Sequence, residues 1–295
     1  MNLRVGNEVG IIGPASQLRA ADRNLLPSAI AVLTSWGLHV HVHVTDERHF
    51  YLAGPDTARA EQLRNALSDE RIRAIFCLRG GYGSPRLLPY LEEMIVAAPK
   101  TLVGYSDVTS LQLAAARLWP DMELVYGPNV ATRQFLDETP GAEATRESLR
   151  QLLFMPTRPL LQKVEFINPG KAQGRLIGGC LSMLVSLLGT KYAPETSETI
   201  LFLEDVGEAP FRIDRMVTHL RNAGKLASVR GIVFGEMRDC NDPYNDLRDV
   251  LRDLFRNEKF PVAFGLQSGH GQLNLSLRLG APAELNSEES TFRME

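Results

Sequence analysis

The sequence predicts an α/β protein with a doubly wound parallel sheet in its N-terminal half and a second, smaller α/β domain after it. Three observations carry that expectation. Strand-like and helix-like segments alternate, as they do where parallel strands are joined by crossover helices. The apolar runs are short and end at glycine or proline, as buried strands entering loops should; Val9-Gly10-Ile11-Ile12, stopping at Gly13-Pro14, is the first of them. The chain has 295 residues, enough for two domains at roughly 100–200 residues each.

The elements follow in order. Leu25 to Trp36 reads as a helix with Gly37 placed for its C-terminal cap. Thr57 to Leu67 is a second helix, its Leu63 and Leu67 spaced to share a face. Ile72 to Leu78 is a strand running into Arg79-Gly80-Gly81-Tyr82-Gly83-Ser84. Thr101 to Val103 is a strand, followed by Gly104-Tyr105-Ser106-Asp107 and a helix from Val108 to about Leu118. Glu123 to Tyr126 completes the series before Gly127-Pro128-Asn129. These elements place an N-terminal domain over residues 1–135.

Between Ala131 and Gly170 the periodicity weakens, broken by Pro140, Gly141, Pro156, Pro159 and Pro169. Residues 136–170 therefore read as a connecting arm with one helical stretch near Ala144 to Leu153. A C-terminal domain is expected over 171–295. Its strands are Gly174 to Ile177, Thr199 to Leu203, Arg230 to Phe234 and Phe260 to Phe264. Its helices are Cys180 to Leu188, Phe211 to Asn222 and Tyr244 to Phe255. Leu273, Leu275, Leu277 and Leu279 alternate as a last strand with one buried face would.

Bulk properties narrow the function. A composition of 44% hydrophobic and 23% charged residues is that of a folded globular chain. A net charge of −3, without a polybasic run, supplies no field to draw nucleic acid or an anionic membrane. Met1 through Gly10 carries Arg4, Asn7 and Glu8 in place of a signal-peptide apolar core. Cys77, Cys180 and Cys240 are far apart and lack metal-type spacing. The expected compartment is therefore the cytoplasm.

Ligands of open parallel sheets bind beyond the carboxyl ends of the strands. Ser106, Glu204 and His270 fall at such ends. A serine hydroxyl is a weak nucleophile until a base removes its proton; histidine suits that task, and a carboxylate fixes the imidazole. Strand, Gly104-Tyr105-Ser106-Asp107, then helix resembles a nucleophile elbow, although Val108 replaces the final glycine of G-x-S-x-G. Ser106 is thus either a nucleophile or a plain helix N-cap, and Asp107 can equally be the cap.

Arg79-Gly80-Gly81-Tyr82-Gly83 is either an oxyanion or anion cradle or a tight turn needing positive φ. It lacks the fingerprints of nucleotide-phosphate loops. Among the histidines, His39, His41 and His43 alternate with valines as on a half-buried strand, His49 sits in a polar loop, and His219 lies on a solvated helix face. His270, flanked by glycines at a strand exit, has room for substrate. Glu204 ends an apolar run and wants a partner, with Asp205 and Glu208 as alternatives. Cys180 opens a helix after Gly178-Gly179, and is read as a buried packing residue in preference to a rival nucleophile.

Taken together, these segments resemble the LD-carboxypeptidase family of serine peptidases. The likeness rests on Leu78-Arg79-Gly80-Gly81-Tyr82-Gly83-Ser84, on Gly104-Tyr105-Ser106-Asp107-Val108-Thr109, on Leu203-Glu204-Asp205-Val206 with Ile213-Asp214-Arg215, and on Gly269-His270. Motif order and spacing agree from Gly13 to Gly280. The resemblance implies a flavodoxin-like N-terminal domain, a smaller C-terminal α/β domain of swivelling β/β/α type, and an active site between them. It implies a Ser106–His270–Glu204 triad, with an oxyanion hole from the N–H groups of Asp107 and either Gly80 or Gly81, the latter favoured. It further implies release of terminal D-alanine from a murein tetrapeptide in cell-wall recycling, no metal or other cofactor, and a homodimer.

Gly80, Tyr82, Tyr105 and Arg86 are the expected substrate contacts, Arg86 because a guanidinium suits a terminal carboxylate. Two departures bear on substrate: Cys180 stands where asparagine is expected, and Arg278 where proline is expected. A rival within the family resembles the microcin-immunity hydrolases of peptidyl or aminoacyl nucleotides, which need an aromatic platform. The connecting arm offers only Phe135, Phe154 and Phe166, which favours murein peptide. A different class is a non-catalytic binder of a small anion, in which Ser106→Ala would leave function intact.

Overall fold

The computed structural model describes residues 2–45, 49–155 and 158–295. The chain divides into two units, Met1–Pro156 and Thr157–Glu295. The first contains strands β1 (Glu8–Ile12), β2 (His39–Val42), β3 (Ile72–Cys77), β4 (Thr101–Gly104) and β5 (Glu123–Tyr126). They run in the order β5-β4-β3-β1-β2 and every pairing is parallel. Helices α1 (Leu25–Ser35), α2 (Asp56–Ser68) and α3 (Thr109–Leu118) make the crossovers. Ile11, Phe76, Val103 and Val125 are wholly buried in one core with Leu33. Each such side chain contributes roughly 1.5–3 kcal/mol relative to exposure.

The stretch expected as a connecting arm is shared between the units. Helices α4 (Arg133–Leu136) and α5 (Pro140–Phe154) belong to the first, where Phe135, Leu149 and Leu153 enter its core. Pro140 and Gly141 do not break α5; they start it. A proline in the first turn gives up an N–H that has no helical partner anyway, and the Thr139 hydroxyl accepts the Ala142 N–H at 3.2 Å. Pro156, another of the expected breaks, lies outside the described residues.

The second unit adds β6 (Leu160–Lys163), β7 (Glu165–Asn168), β8 (Lys171–Cys180), β9 (Thr199–Val206), β10 (Gly231–Arg238), β11 (Val262–Gly269), β12 (Leu277–Leu279), β13 (Pro282–Asn286) and β14 (Thr291–Met294). Eight of them form one mixed sheet in the order β6-β14-β13-β8-β9-β10-β11-β7. Its centre, β8 to β11, is parallel. Antiparallel strands flank it on both sides. The helices are α6 (Leu181–Ser186), α7 (Pro210–Asn222) and α8 (Leu247–Phe255). Among the described residues no helix is long and apolar enough to cross a membrane.

Two expectations change here. The helix expected from Tyr244 begins at Leu247, because the Asp242 carboxylate takes the N–H groups of Tyr244 and Asn245 at 2.8 and 2.9 Å. Asp246 then caps α8 by accepting the Arg248 N–H. The expected strand over 273–279 is reduced to β12. Asn274, Leu275, Ser276 and Leu277 are all buried in succession, so the alternating leucines do not mark one face.

Candidate active site

Ser106 stands two residues beyond the end of β4 and holds φ at +63°, a left-handed conformation that costs a non-glycine residue roughly 1–2 kcal/mol. Glycine at 104 leaves room for the turn: a Cβ there would stand 2.8 Å from Val108 Cγ1. Polar contacts then hold it. Asn129 Oδ1 accepts the Tyr105 N–H, and its Nδ2 donates to the Tyr105 carbonyl, each at 3.4 Å. The Ser106 N–H donates to the Tyr126 hydroxyl at 3.3 Å. Ser106 begins a single 3₁₀ turn, 106–108, so the Asp107 N–H lies where the helix itself supplies no acceptor.

The glycine loop packs against this turn. A Cβ on Gly80 would come within 3.2 Å of Ser106 Oγ and crowd the hydroxyl. Gly81 has φ +103°, and a side chain there would collide with Ser16. Ser16 Oγ instead accepts the Tyr82 N–H at 3.1 Å. Arg59, 1% exposed, gathers the surrounding loops by donating to the carbonyls of Gly83, Pro14 and Gly54. Neither Asn129 nor Arg59 was expected. Asn129 had a signal in its place after Gly127-Pro128 at a strand exit, whereas Arg59 reads in sequence as one more charged helix residue.

The expected substrate contacts are placed as follows. Tyr82 is well exposed and its ring lies 5.9 Å from that of Tyr51. Tyr105 is buried, edge-on to Tyr126 at 6.1 Å. Arg86 is committed to Asp56, its Nε and Nη2 each 2.8 Å from Asp56 Oδ2. A substrate carboxylate would have to compete with that ion pair, which weakens the case for Arg86.

In the second unit, the structure brings Glu204 and His270 together. Glu204 stands on β9 opposite Cys180 of β8 and is completely buried. His270 Nδ1 lies 2.7 Å from Glu204 Oε2, and the His270 backbone N–H donates to the same oxygen at 3.1 Å. Gly269, at φ +121°, permits this approach, since a Cβ there would collide with the Glu204 carboxylate. Asn274 Oδ1 accepts the Gly269 N–H at 3.0 Å and the Ser268 hydroxyl at 3.3 Å, which holds the turn. Burial depresses the imidazole pKa, but the hydrogen bond and charge of Glu204, with help from Asp205, more than reverse it; the net shift is upward from 6.5.

The alternatives for the carboxylate are occupied. Asp205 accepts the N–H groups of Ser182 and Val206 at 2.8 and 2.9 Å. Glu208 pairs with Arg212 at 3.4 Å. Cys180 is buried, and burial together with the charges of Glu204 and Asp205 pushes its thiol well up, the opposite of a nucleophile. His41 pairs with Glu8 at 2.9 Å, and His43 is lowered chiefly by burial. Among the described residues no group of three or more His, Cys, Asp or Glu could hold a metal ion.

Residues 9–127 match the description LD-carboxypeptidase N-terminal domain, and residues 173–285 match LD-carboxypeptidase C-terminal domain. A Bacillus subtilis protein named a probable murein peptide carboxypeptidase is 33% identical over 99% of this chain and 93% of its own. The crystal structure of a muramoyltetrapeptide carboxypeptidase from Oxalobacter formigenes is 28% identical, with a TM-score of 0.83 over 98% of each chain. MccF in complex with glutamyl sulfamoyl guanosine has a TM-score of 0.89 over 99% of this chain and 97% of its own, at 23% identity; that likeness is one of fold.

Proposed function

Because the chain belongs to the LD-carboxypeptidase family of serine-type peptidases, we propose that it hydrolyses the L,D-peptide bond to the terminal D-alanine of murein tetrapeptides. Ser106 is the nucleophile, His270 the base and Glu204 the carboxylate that orients it. The observation that carries this reading is the 2.7 Å contact of His270 Nδ1 with Glu204 Oε2. With its proton on Nδ1, directed at the carboxylate, the imidazole presents Nε2 as the base.

Ser106 Oγ bonds to the scissile carbonyl carbon as its proton passes to Nε2. The N–H groups of Asp107 and Gly81 receive the developing oxyanion. The C–N bond breaks as the imidazolium gives that proton to the departing amine of D-alanine, leaving an acyl ester on Ser106. Water then loses a proton to the imidazole, attacks the ester and releases the shortened peptide, while Ser106 recovers its proton.

The arm aromatics favour murein peptide over a nucleotide conjugate. Phe135 is wholly buried in the core of the first unit, which withdraws it as a platform for a nucleobase, and Phe154 packs edge-on to Trp36 at 6.5 Å. The same reading takes the protein as a cytoplasmic homodimer. The test is incubation with L-Ala-γ-D-Glu-diaminopimelate-D-Ala in the absence of metal, with assay of free D-alanine. Release by the native protein and none by Ser106→Ala is the expected result. No release, alongside turnover of an aminoacyl sulfamoyl adenylate, overturns it.

A further inference from the structure

The sheet of the first unit changes its direction of winding between β1 and β3. From β1 the chain moves outward to β2, and from β3 it moves the other way to β4 and β5. Ligands of such sheets bind in the crevice beyond the strand ends at that point. Here the loops that follow β1 and β3 flank it, and the Ser16 N–H joins them by donating to the Gly80 carbonyl at 3.3 Å. Arg79 also reaches across: its Nη1 donates to the Gln17 carbonyl at 2.9 Å. Among the described residues no carboxylate forms an ion pair with Arg79. A guanidinium carries five N–H donors, so most of them are left to a ligand or to water.

Arg79 is partly buried. Burial, and after it the charge of Arg19, pulls its pKa down, and the charge of Asp22 offsets this only in part. A partly desolvated cation without an anion gains most from a ligand that supplies one. Arg86, by contrast, already has Asp56. The position of Arg79 fixes what that ligand is. It precedes Gly80, where a Cβ would stand 3.2 Å from Ser106 Oγ, and Tyr105, the residue before Ser106, lies near enough to act on its charge. In a peptide cut at its last bond, the terminal carboxylate lies one residue's span, roughly 3.5 Å, beyond the scissile carbonyl. The cation that receives it must stand beside the nucleophile. We propose that Arg79 binds the terminal carboxylate of the substrate through the paired N–H groups of its guanidinium, and so restricts cleavage to the last bond of a chain. This deepens the peptidase reading above and rests on it.

The test compares L-Ala-γ-D-Glu-diaminopimelate-D-Ala with the same peptide ending in D-alaninamide. In a Ser106→Ala background, calorimetry is expected to show the acid binding about thirtyfold more tightly than the amide. Arg79→Gln brings that ratio to about one by weakening the acid alone. Arg79→Lys, which keeps the charge without the planar fork, restores part of it. Arg79→Met repeats the comparison should Arg79→Gln fail to fold. An unchanged ratio in the neutral variant, an equal weakening of both peptides, or no preference in the parent overturns the anchor. So does loss of the ratio in Arg86→Gln in place of Arg79→Gln. Release of D-alanine by the native protein leaves the peptidase reading standing in each of those cases, and its absence overturns both.

Discussion

Asp107 Oδ2 accepts the backbone N–H of Ser84 at 2.8 Å, tying the residue after Ser106 to the end of the glycine loop. The Ser84 hydroxyl returns the bond to the Asp107 carbonyl and lies 2.7 Å from Ser110 Oγ. The residue whose N–H is proposed as one oxyanion donor thus anchors the segment that carries the other, Gly81. Asp107→Ala is expected to lower stability by about 1–3 kcal/mol through the orphaned Ser84 N–H. It should lower kcat more than it raises KM, because the donors matter most in the transition state. Chemical denaturation and steady-state kinetics read the two effects separately.

Ser106 offers a test of strain. Glycine adopts φ +63° without the penalty that serine bears there. Ser106→Gly should therefore raise stability by up to about 1 kcal/mol while abolishing D-alanine release. A lower melting temperature than that of the native protein would count against stored strain at this turn.

The pH profile should follow His270. Its pKa is raised above 6.5, and the imidazole must be neutral to accept a proton, so the acidic limb of kcat/KM should lie above pH 6.5. Glu204→Gln should move that limb downward and reduce kcat on the order of 10³- to 10⁴-fold. The stability effect has the opposite sense. A folded pKa above the unfolded one stabilises the protein fully below pH 6.5, and that contribution is lost as pH rises through the folded value. Melting temperatures of the native protein and His270→Asn across that window check this sign.

Gly269→Ala should separate His270 from Glu204. Its φ of +121° and the collision of a Cβ with the Glu204 carboxylate leave no place for a methyl group. Activity should fall about as far as in Glu204→Gln, with a loss of about 1–3 kcal/mol in stability. Retained turnover would mean that the pair tolerates a wider spacing than 2.7 Å.

The thiols should be silent. Cys77, Cys180 and Cys240 are all buried, and burial pushes each thiol up, that of Cys240 to about 11. A thiol reagent at neutral pH should leave the native protein unlabelled on the timescale that labels all three in denaturant. Fast native labelling at Cys180 would reopen it as a reactive group.

Much of this protein is legible before any coordinate. The apolar runs before Ser106 and Glu204 give way to polar residues, a local signal that needs no partner to be read. Where reading by pattern fails, a capping side chain nearby in sequence decides some outcomes and pairing with distant strands decides others. Pro140 looks like a helix breaker until Thr139 is seen to cap the helix it begins. Tyr244 looks helical until Asp242 takes its N–H. The antiparallel strands β6, β7, β13 and β14 were not anticipated, being short segments stabilised by neighbours far away in sequence.

Sequence alone determined the α/β class, the positions of the strand exits and the residue types able to act as nucleophile, base and carboxylate, because side-chain chemistry and apolar period are properties of the local chain. Tertiary structure alone decided that Glu204, and neither Asp205 nor Glu208, meets His270, that Asp56 holds Arg86, and that Asn129 and Arg59 brace the Ser106 turn. Those outcomes depend on strand register and burial, which bring together groups tens of residues apart and set which carboxylate is left without water.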